Sequence, residues 1–420
     1  MDATPDFVLN RDDACERRGT GMSWARKSKT VAVARPVTGH SGPQERPNPV
    51  LGRAPETRFL TFGPAALFGA VARCSLRRSI PPELAALERR AAEARIAHHV
   101  DDTSSEFFLL DGVRAYKDSD RSHFGGAVAA GLAYLFMIAE GHVWADHFEN
   151  QTPKGDPKTR PGPDFVFASL GTREVALVES KGTTSLGAAA FDRTVAKGYT
   201  RQVEPHLGHR VGSGIASHGF AVGSRMIPGS SAPPAEAEMV VHHTRPKRSF
   251  FGGTSDMPPP QIVTAGSVVV GNYATVLDLV FGPGQGEPLR RGEPVDLPYD
   301  VVEWRGERWI VPRAESDTDA SMRAENMADV ERWRFALHEA TALEVFARAG
   351  GAGSGDWDGF RPDGAVTRLA DGRDSIRSGV FPDGLAVLAR EEIHPHGRGG
   401  GPHDPAPEPP RLREMGAAEG

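Results

Sequence analysis

Cysteine is nearly absent from this chain of 420 residues, which has only Cys15 and Cys74. Two thiols so far apart supply neither a zinc site nor a disulfide scaffold, and reduced thiols fit a cytoplasmic location. Long apolar runs are missing as well. An uncharged stretch of sixteen residues runs from Phe124 to Ala139. It is rich in Gly and Ala and falls short of the roughly twenty residues that cross a bilayer, so it reads as a buried core helix. No basic-then-apolar leader opens the sequence, and no membrane partner is expected. The chain lacks a G-x-x-x-x-G-K-[ST] loop, a G-x-S-x-G elbow and an H-E-x-x-H helix, which leaves ATP motors, serine hydrolases and zincins without support. Nor is there an excess of positive charge. With 49 Lys and Arg against 55 Asp and Glu the net charge is −6, which weighs against a nonspecific polyanion binder.

Loop-forming residues are plentiful, with 48 glycines and 34 prolines. Together with the length they indicate one main domain with accessory parts. Residues 1–50 mix charge, Pro, Gly and Ser without periodicity and are expected to be disordered, as is the tail 394–420, where His394, His396 and His403 read as solvated. Residues 51–120 read as a helical extension packing on the core. Its clearest element starts at Pro81-Pro82 and runs amphipathically from Glu83 to His98.

Residues 121–250 carry the chemistry. Pro-Asp-Phe-Val-Phe-Ala-Ser-Leu from Pro163, then Gly171-Thr172, then Arg-Glu-Val-Ala-Leu-Val-Glu-Ser-Lys to Lys181, are two β-prone runs about a glycine-led turn. A two-residue type II′ loop would pair Leu170 with Arg173, Ala168 with Val175, Val166 with Leu177 and Asp164 with Glu179. The two-residue side-chain period then leaves Lys181 on the same face. Both faces are apolar elsewhere, as in a strand pair covered on both sides. Opposed carboxylates repel unless something positive lies between them, and a hard divalent cation is the natural candidate. The competing reading is a structural ion-pair cluster in which Lys181 bridges two acids. Of the four Pro-Asp dipeptides, at Pro5, Pro163, Pro362 and Pro382, only Pro163 precedes an acid-x-Lys on a strand at suitable distance.

These residues resemble the PD-(D/E)xK, restriction-endonuclease-like nuclease superfamily. The resemblance implies an α/β (α+β) fold with an αβββαβ core around a mixed sheet. Asp164 and Glu179 would ligate Mg²⁺ or Mn²⁺, with the Ser180 backbone carbonyl as a further ligand. Lys181 would position or activate the attacking water, and the product would carry a 5′-phosphate. DNA is the implied partner, with RNA as an alternative substrate and an inactive scaffold as another reading. Many family members draw a further acid from the first helix, which here would be Glu140. It reads equally well as a solvated helix end. Some relatives place a Gln and a Tyr on the second helix, whereas this chain has Gln202 followed by His206. Basic residues cluster at Lys154, Lys158 and Arg160 and again at Arg245-Pro-Lys-Arg248, where they would hold phosphates or simply be solvated.

The neighbouring sequence follows the same order. His123 to Glu140 reads as a helix with a glycine stop, His142 to Phe148 as a first strand, Ala188 to His206 as the second helix, and Gly219 to Arg225 and Ala237 to Thr244 as further strands. His147 and Glu149 read as a strand-end loop facing the cleft. Residues 258–393 are expected to be an accessory region. Within it, Ile262 to Phe281 reads as a helix, Tyr299 to Trp304 and Glu307 to Val311 as a hairpin, Ser316 to Arg348 as one long helix, and Val380 to Leu388 as a small β-ribbon. Trp304 and Trp309 read as core packing rather than base-stacking surfaces.

Overall fold

The computed structural model describes residues 24, 27–35, 56–75, 81–152, 161–229, 237–244, 265–313, 333–349, 357, 360–363, 378–389 and 393–395. The chain is mixed α/β and is built on two sheets. Seven strands of the larger sheet lie in the order β2 (Phe59–Phe62), β1 (Lys29–Ala34), β8 (Ala237–His243), β7 (Gly214–Met226), β5 (Glu174–Thr183), β4 (Phe165–Ala168) and β3 (Trp144–His147). The eighth, β6 (Arg210–Val211), pairs with β7. Strands β3, β4 and β5 form an antiparallel meander, whereas β5 runs parallel to β7 after a crossover through helix α5 (Ala188–Gly198).

The middle of β5 reads Val-Ala-Leu-Val and is buried on both faces, as expected of a strand covered from both sides. Helix α3 (Asp118–Ala139) covers one face. Its approach depends on Gly182, where a Cβ would lie 2.5 Å from the Gly125 carbonyl oxygen. Helix α1 (Pro64–Ser75) packs on α3, and α2 (Pro82–His99) lies outside it. By length and composition α3 could cross a membrane, but here it is the core helix between α1 and β5. On the other face α5 presses Phe191 and Val195 onto β7 at Gly223.

The smaller sheet has the order β12 (Gly379–Val380), β13 (Leu385–Ala389), β11 (Trp333–His338), β10 (Glu307–Pro312), β9 (Tyr299–Trp304) and β14 (His394–Pro395). The short helix α4 (Phe148–Gln151) follows β3. Helix α6 (Gly266–Phe281) covers the β3 edge of the larger sheet and also touches β10 and β11, so it belongs to both layers. After it come the single turn α7 (Glu287–Arg290) and, following β11, helix α8 (Glu339–Ala349).

A buried polar network ties the layers together. Arg73 on α1 donates to Tyr134 Oη at 2.7 Å, Asn272 Oδ1 at 2.5 Å and Asp383 Oδ2 at 2.6 Å. Asn272 Nδ2 also donates to Asp383 Oδ2, and Asn272 Oδ1 accepts the Ala145 N–H of β3. Burial opposes the Arg73 charge, but Asp383 and Tyr134 outweigh that penalty and hold the guanidinium charged more firmly than usual.

Several sequence expectations are corrected. Residues 1–50 were expected to be disordered, yet Trp24 is fully buried and β1 pairs with both β2 and β8. A strand with one neighbour far along the chain leaves no local periodicity to read. The tail begins with β14, which pairs with β9. The long helix expected from Ser316 to Arg348 is a strand from Trp333 and a helix only from Glu339; its earlier part lies outside the described residues. Trp333, Phe335 and Leu337 alternate along β11 and pack as strand residues, so tertiary pairing overrides local helix propensity. Within residues 258–393, α6 and one face of the smaller sheet pack into the same buried cluster as the larger sheet, while the other face of the smaller sheet has a cluster of its own. The hairpin at Arg305-Gly306 and the ribbon around Phe381 to Gly384 form as expected.

Removing one partner of a buried ion pair strands the other. Asp383→Ala should therefore lower the unfolding free energy by about 3–5 kcal/mol, read as a fall in the denaturation midpoint. An unchanged midpoint would show that the network is dispensable. His142 and His218 are buried against Phe220, and burial pulls each down to about 3. Below the ordinary value of 6.5 the unfolded chain takes up these protons and the folded one does not, so stability falls with decreasing pH between 6.5 and 3. The slope per histidine should be about 1.4 kcal/mol per pH unit. Replacing both with Phe should flatten that limb in denaturation curves collected across the range.

Candidate functional site

The hairpin keeps its expected register where it matters most. Ala168 faces Val175 and Val166 faces Leu177. The turn differs, because Gly171, at φ 76°, occupies its second central position after Leu170, and the ladder closes at Ala168 without a Leu170–Arg173 pair. At the other end the ladder slips by one residue. The Asp164 N–H bonds the Val178 carbonyl at 3.0 Å, and the Asp164 carbonyl accepts from the Phe148 N–H.

That slip decides the geometry of the charged groups. Asp164 Oδ2 accepts from both the Ser180 N–H and the Ser180 hydroxyl, each at 2.8 Å. Lys181 Nζ donates to Glu179 Oε1. The expected ring of Asp164, Glu179 and Lys181 is thus two adjacent pairs, Asp164 with Ser180 and Glu179 with Lys181. Among the described residues no three His, Cys, Asp or Glu side chains cluster at metal-ligand spacing.

Glu179 is the unusual member. It is 1 % exposed, and its Oε2 is buried with no hydrogen-bond partner. Burial pushes its carboxyl up to about 7, the Asp164 charge adds to the rise, and Lys181 and Gln202 draw it back. A buried carboxylate oxygen without a donor is costly, and a cation or a donor from a bound molecule would satisfy it. Carboxylate and carbonyl oxygens suit Mg²⁺ or Mn²⁺, and the groups here that could hold such an ion are Asp164, Glu179 and the Ser180 carbonyl.

The roof over this pair is the end of the second helix. A Cβ at Gly198 would sit 3.2 Å from Lys181 Cε and 3.4 Å from Glu179 Cγ, so a larger residue there would crowd the pair. The helix expected to run to His206 does so irregularly, passing from α5 into a π-turn at Tyr199–Val203 and a 3₁₀ turn at Glu204–His206. The Tyr199 hydroxyl is pinned to Thr244 Oγ1 at 2.6 Å. The wider π-turn carries Gln202 to the Gly162 carbonyl, 3.3 Å from its Nε2, and close enough to act on Glu179. His206 reaches the Pro161 carbonyl at 3.2 Å and packs on Phe148. Gln202 and His206 thus hold the loop that leads into Asp164.

Glu140 is corrected. It sits at the far end of α3 from the Gly125–Gly182 contact, and its carboxylate accepts the backbone N–H groups of Glu56 and Thr57 at 2.8–3.1 Å. It anchors the entry to β2 rather than the hairpin. Lys154, Lys158, Arg160 and the Arg245–Arg248 cluster lie outside the described residues. His147 ends β3 opposite Phe165, and its Nε2 is buried without a partner. Burial pulls its pKa down against the pull of Asp146, Glu149 and Asp164. The sequence reading passed over Asp146. Its carboxylate accepts from the His147 N–H, Asn150 and Gln151 and holds the chain turning out of β3. The only local signal was an acid at a strand end with amide side chains four and five residues on.

Compared with known proteins, the chain matches no family model, no curated sequence and no solved structure.

The raised Glu179 carboxyl makes a stability prediction with a definite sign. As pH rises from the ordinary 4.5 through about 7, the unfolded chain gives up this proton before the folded one does, and metal-free stability drops. Glu179→Gln should remove that loss. Above pH 7, in chelator, it should be more stable than the parent by on the order of 2–3 kcal/mol. Destabilisation would mean that the Glu179–Lys181 pair is a structural cross-link.

Proposed function

We propose that the chain is a divalent-metal-dependent nuclease of the PD-(D/E)xK type that hydrolyses phosphodiester bonds of DNA. The observation that carries this reading is Glu179, a buried carboxylate with one oxygen on Lys181 and the other without a hydrogen bond, close enough to Asp164 to feel its charge. The order α3, β3, β4, β5, α5, β7, with the meander antiparallel and the last pairing parallel, is consistent with the αβββαβ core of that superfamily.

Asp164, Glu179 and the Ser180 carbonyl would hold the metal. A bound Mg²⁺ or Mn²⁺ would supply polarisation of the scissile phosphate and neutralisation of the charge that grows on the leaving oxygen. Ser180 holds Asp164 in place through two hydrogen bonds, leaving the carboxylate little freedom to turn away. Lys181, whose side chain is 29 % exposed and whose ammonium donates to Glu179 Oε1, would orient a water for attack. Gln202 braces the Gly162 backbone, so the loop before Asp164 stays fixed relative to the second helix.

A scaffold reading also draws on an observation. Lys181 bonded directly to Glu179, with no cluster of three metal-ligating side chains among the described residues, is what a structural ion pair would show. The two readings separate in one experiment. The protein and its Lys181→Ala variant are incubated with supercoiled DNA, linear DNA and RNA in Mg²⁺ or Mn²⁺, against an EDTA control. The nuclease reading expects metal-dependent cutting that falls by about 10²-fold or more in the variant. It also expects Glu179→Ala to lose Mn²⁺ binding by calorimetry with its circular dichroism unchanged. Cutting that persists in EDTA, or no metal binding by the parent, sinks it.

A further inference from the structure

Helix α2 carries apolar residues on two faces, and one of those faces is exposed. Ala85 and Ile96 are buried on the inner face. On the outer face Leu84 and Leu87 are 43 % and 61 % exposed, Ala94 and His98 are exposed, and Ala91 is half-buried. Single exposed leucines are ordinary on a protein surface, but these residues fall on one line. Positions 84, 87, 91, 94 and 98 alternate steps of three and four, the spacing of the seam along which two helices pack side by side. Small side chains at Ala91 and Ala94 let a second helix approach to the short end of the roughly 8–10 Å interaxial range.

Two charges flank that seam on the same side, Glu88 and Arg95. Glu88 is exposed, and Arg95 is half-buried with its guanidinium over the Tyr116 ring, 5.9 Å from the centroid. A ring face leaves guanidinium N–H groups available at its edge. Among the described residues neither charge has an ion-pair partner. They cannot pair with each other, because helix side chains meet at spacings of three or four and these two are seven residues apart, about 10 Å along the axis.

An antiparallel second copy supplies both missing partners. With Ala91 level with the partner's Ala94, two-fold symmetry sets Leu87 against the partner's His98 and repeats each contact. Glu88 and the partner's Arg95 then lie between the same two layers, on the same side of the seam, at both ends of the pair. A parallel copy would put each residue level with its own equivalent and bring Glu88 no closer to an Arg95. Flanking charges of this kind set the orientation of paired helices.

We propose that the outer face of α2 docks in antiparallel fashion on the same face of a second copy of this chain, forming a two-fold dimer. The inference is independent of the nuclease reading, since Asp164, Glu179 and Lys181 lie on other elements.

The test is sedimentation of the full chain from about 1 to 100 µM, across which the parent should pass from monomer to dimer. Leu87→Glu places two carboxylates in the apolar seam and should weaken association at least about 100-fold. Its circular dichroism should not change, because Leu87 is exposed in the single chain. Glu88→Arg and Arg95→Glu, made singly, set like charges against each other and should each weaken association about tenfold. Combining the two substitutions should bring it back to within about threefold of the parent. A parent that stays monomeric throughout the range overturns the proposal. So does a dimer that Leu87→Glu leaves intact, which forms through another surface, or a combined charge exchange that restores nothing, which excludes the antiparallel register.

Discussion

The architecture depends on the buried contact between Arg73 and Asp383. These residues are far apart in sequence, and the groups they gather come from α1, α3, α6, β3 and the turn between β12 and β13. Each polar group withdrawn from water there has a partner in the others, apart from Arg73 Nε. A buried guanidinium tolerates few arrangements, because losing one acceptor leaves charge in a low-dielectric interior. The network therefore sets how the two sheets meet as well as adding stability. The apolar core around it is continuous and offers no such directional preference.

The hairpin site depends on that frame indirectly. Asn272, held by Arg73, accepts the Ala145 N–H of β3, and β3 pairs with β4, the strand that Asp164 immediately precedes. From the other side α5 closes on Glu179 and Lys181 through the bare backbone of Gly198. The carboxylate is thereby buried beside a second carboxylate, with Lys181 the one cation in hydrogen-bond contact among the described residues. Its raised pKa and its unpartnered oxygen have the same origin, a negative charge brought into a place where the protein alone under-compensates it. That imbalance is the physical content of the proposed metal site.

Local signals reached a good part of this. The strand pair was legible because two β-prone runs flank a glycine turn, and counting outward from Gly171 and Thr172 opposes Val166 and Leu177 even though the turn itself forms one residue earlier. The helices about the core were legible from their apolar spacing and stops, and the ribbon at Phe381 to Gly384 from its turn residues. The slip at Asp164 was not legible. It follows from the Asp164 N–H bonding Val178 at the frayed end of a four-residue strand, where no side-chain pattern reports the backbone. Glu140 was misread because an acid at a helix end looks the same whether it faces a cleft or binds a neighbouring loop. Strand β11 was misread because Trp333 to His338 pairs on both sides with strands distant in sequence.

The sequence by itself determined the class of fold, the strand pair that carries Asp164, Glu179 and Lys181, and the helix that returns over them. These follow from side-chain periodicity and turn chemistry within short windows. Only the tertiary structure decided which carboxylate is buried, which partner each charge takes, and that residues near both ends of the chain join the sheets. Those outcomes depend on burial and on contacts between segments far apart in sequence, and the energy of a charged group is set by what surrounds it in space.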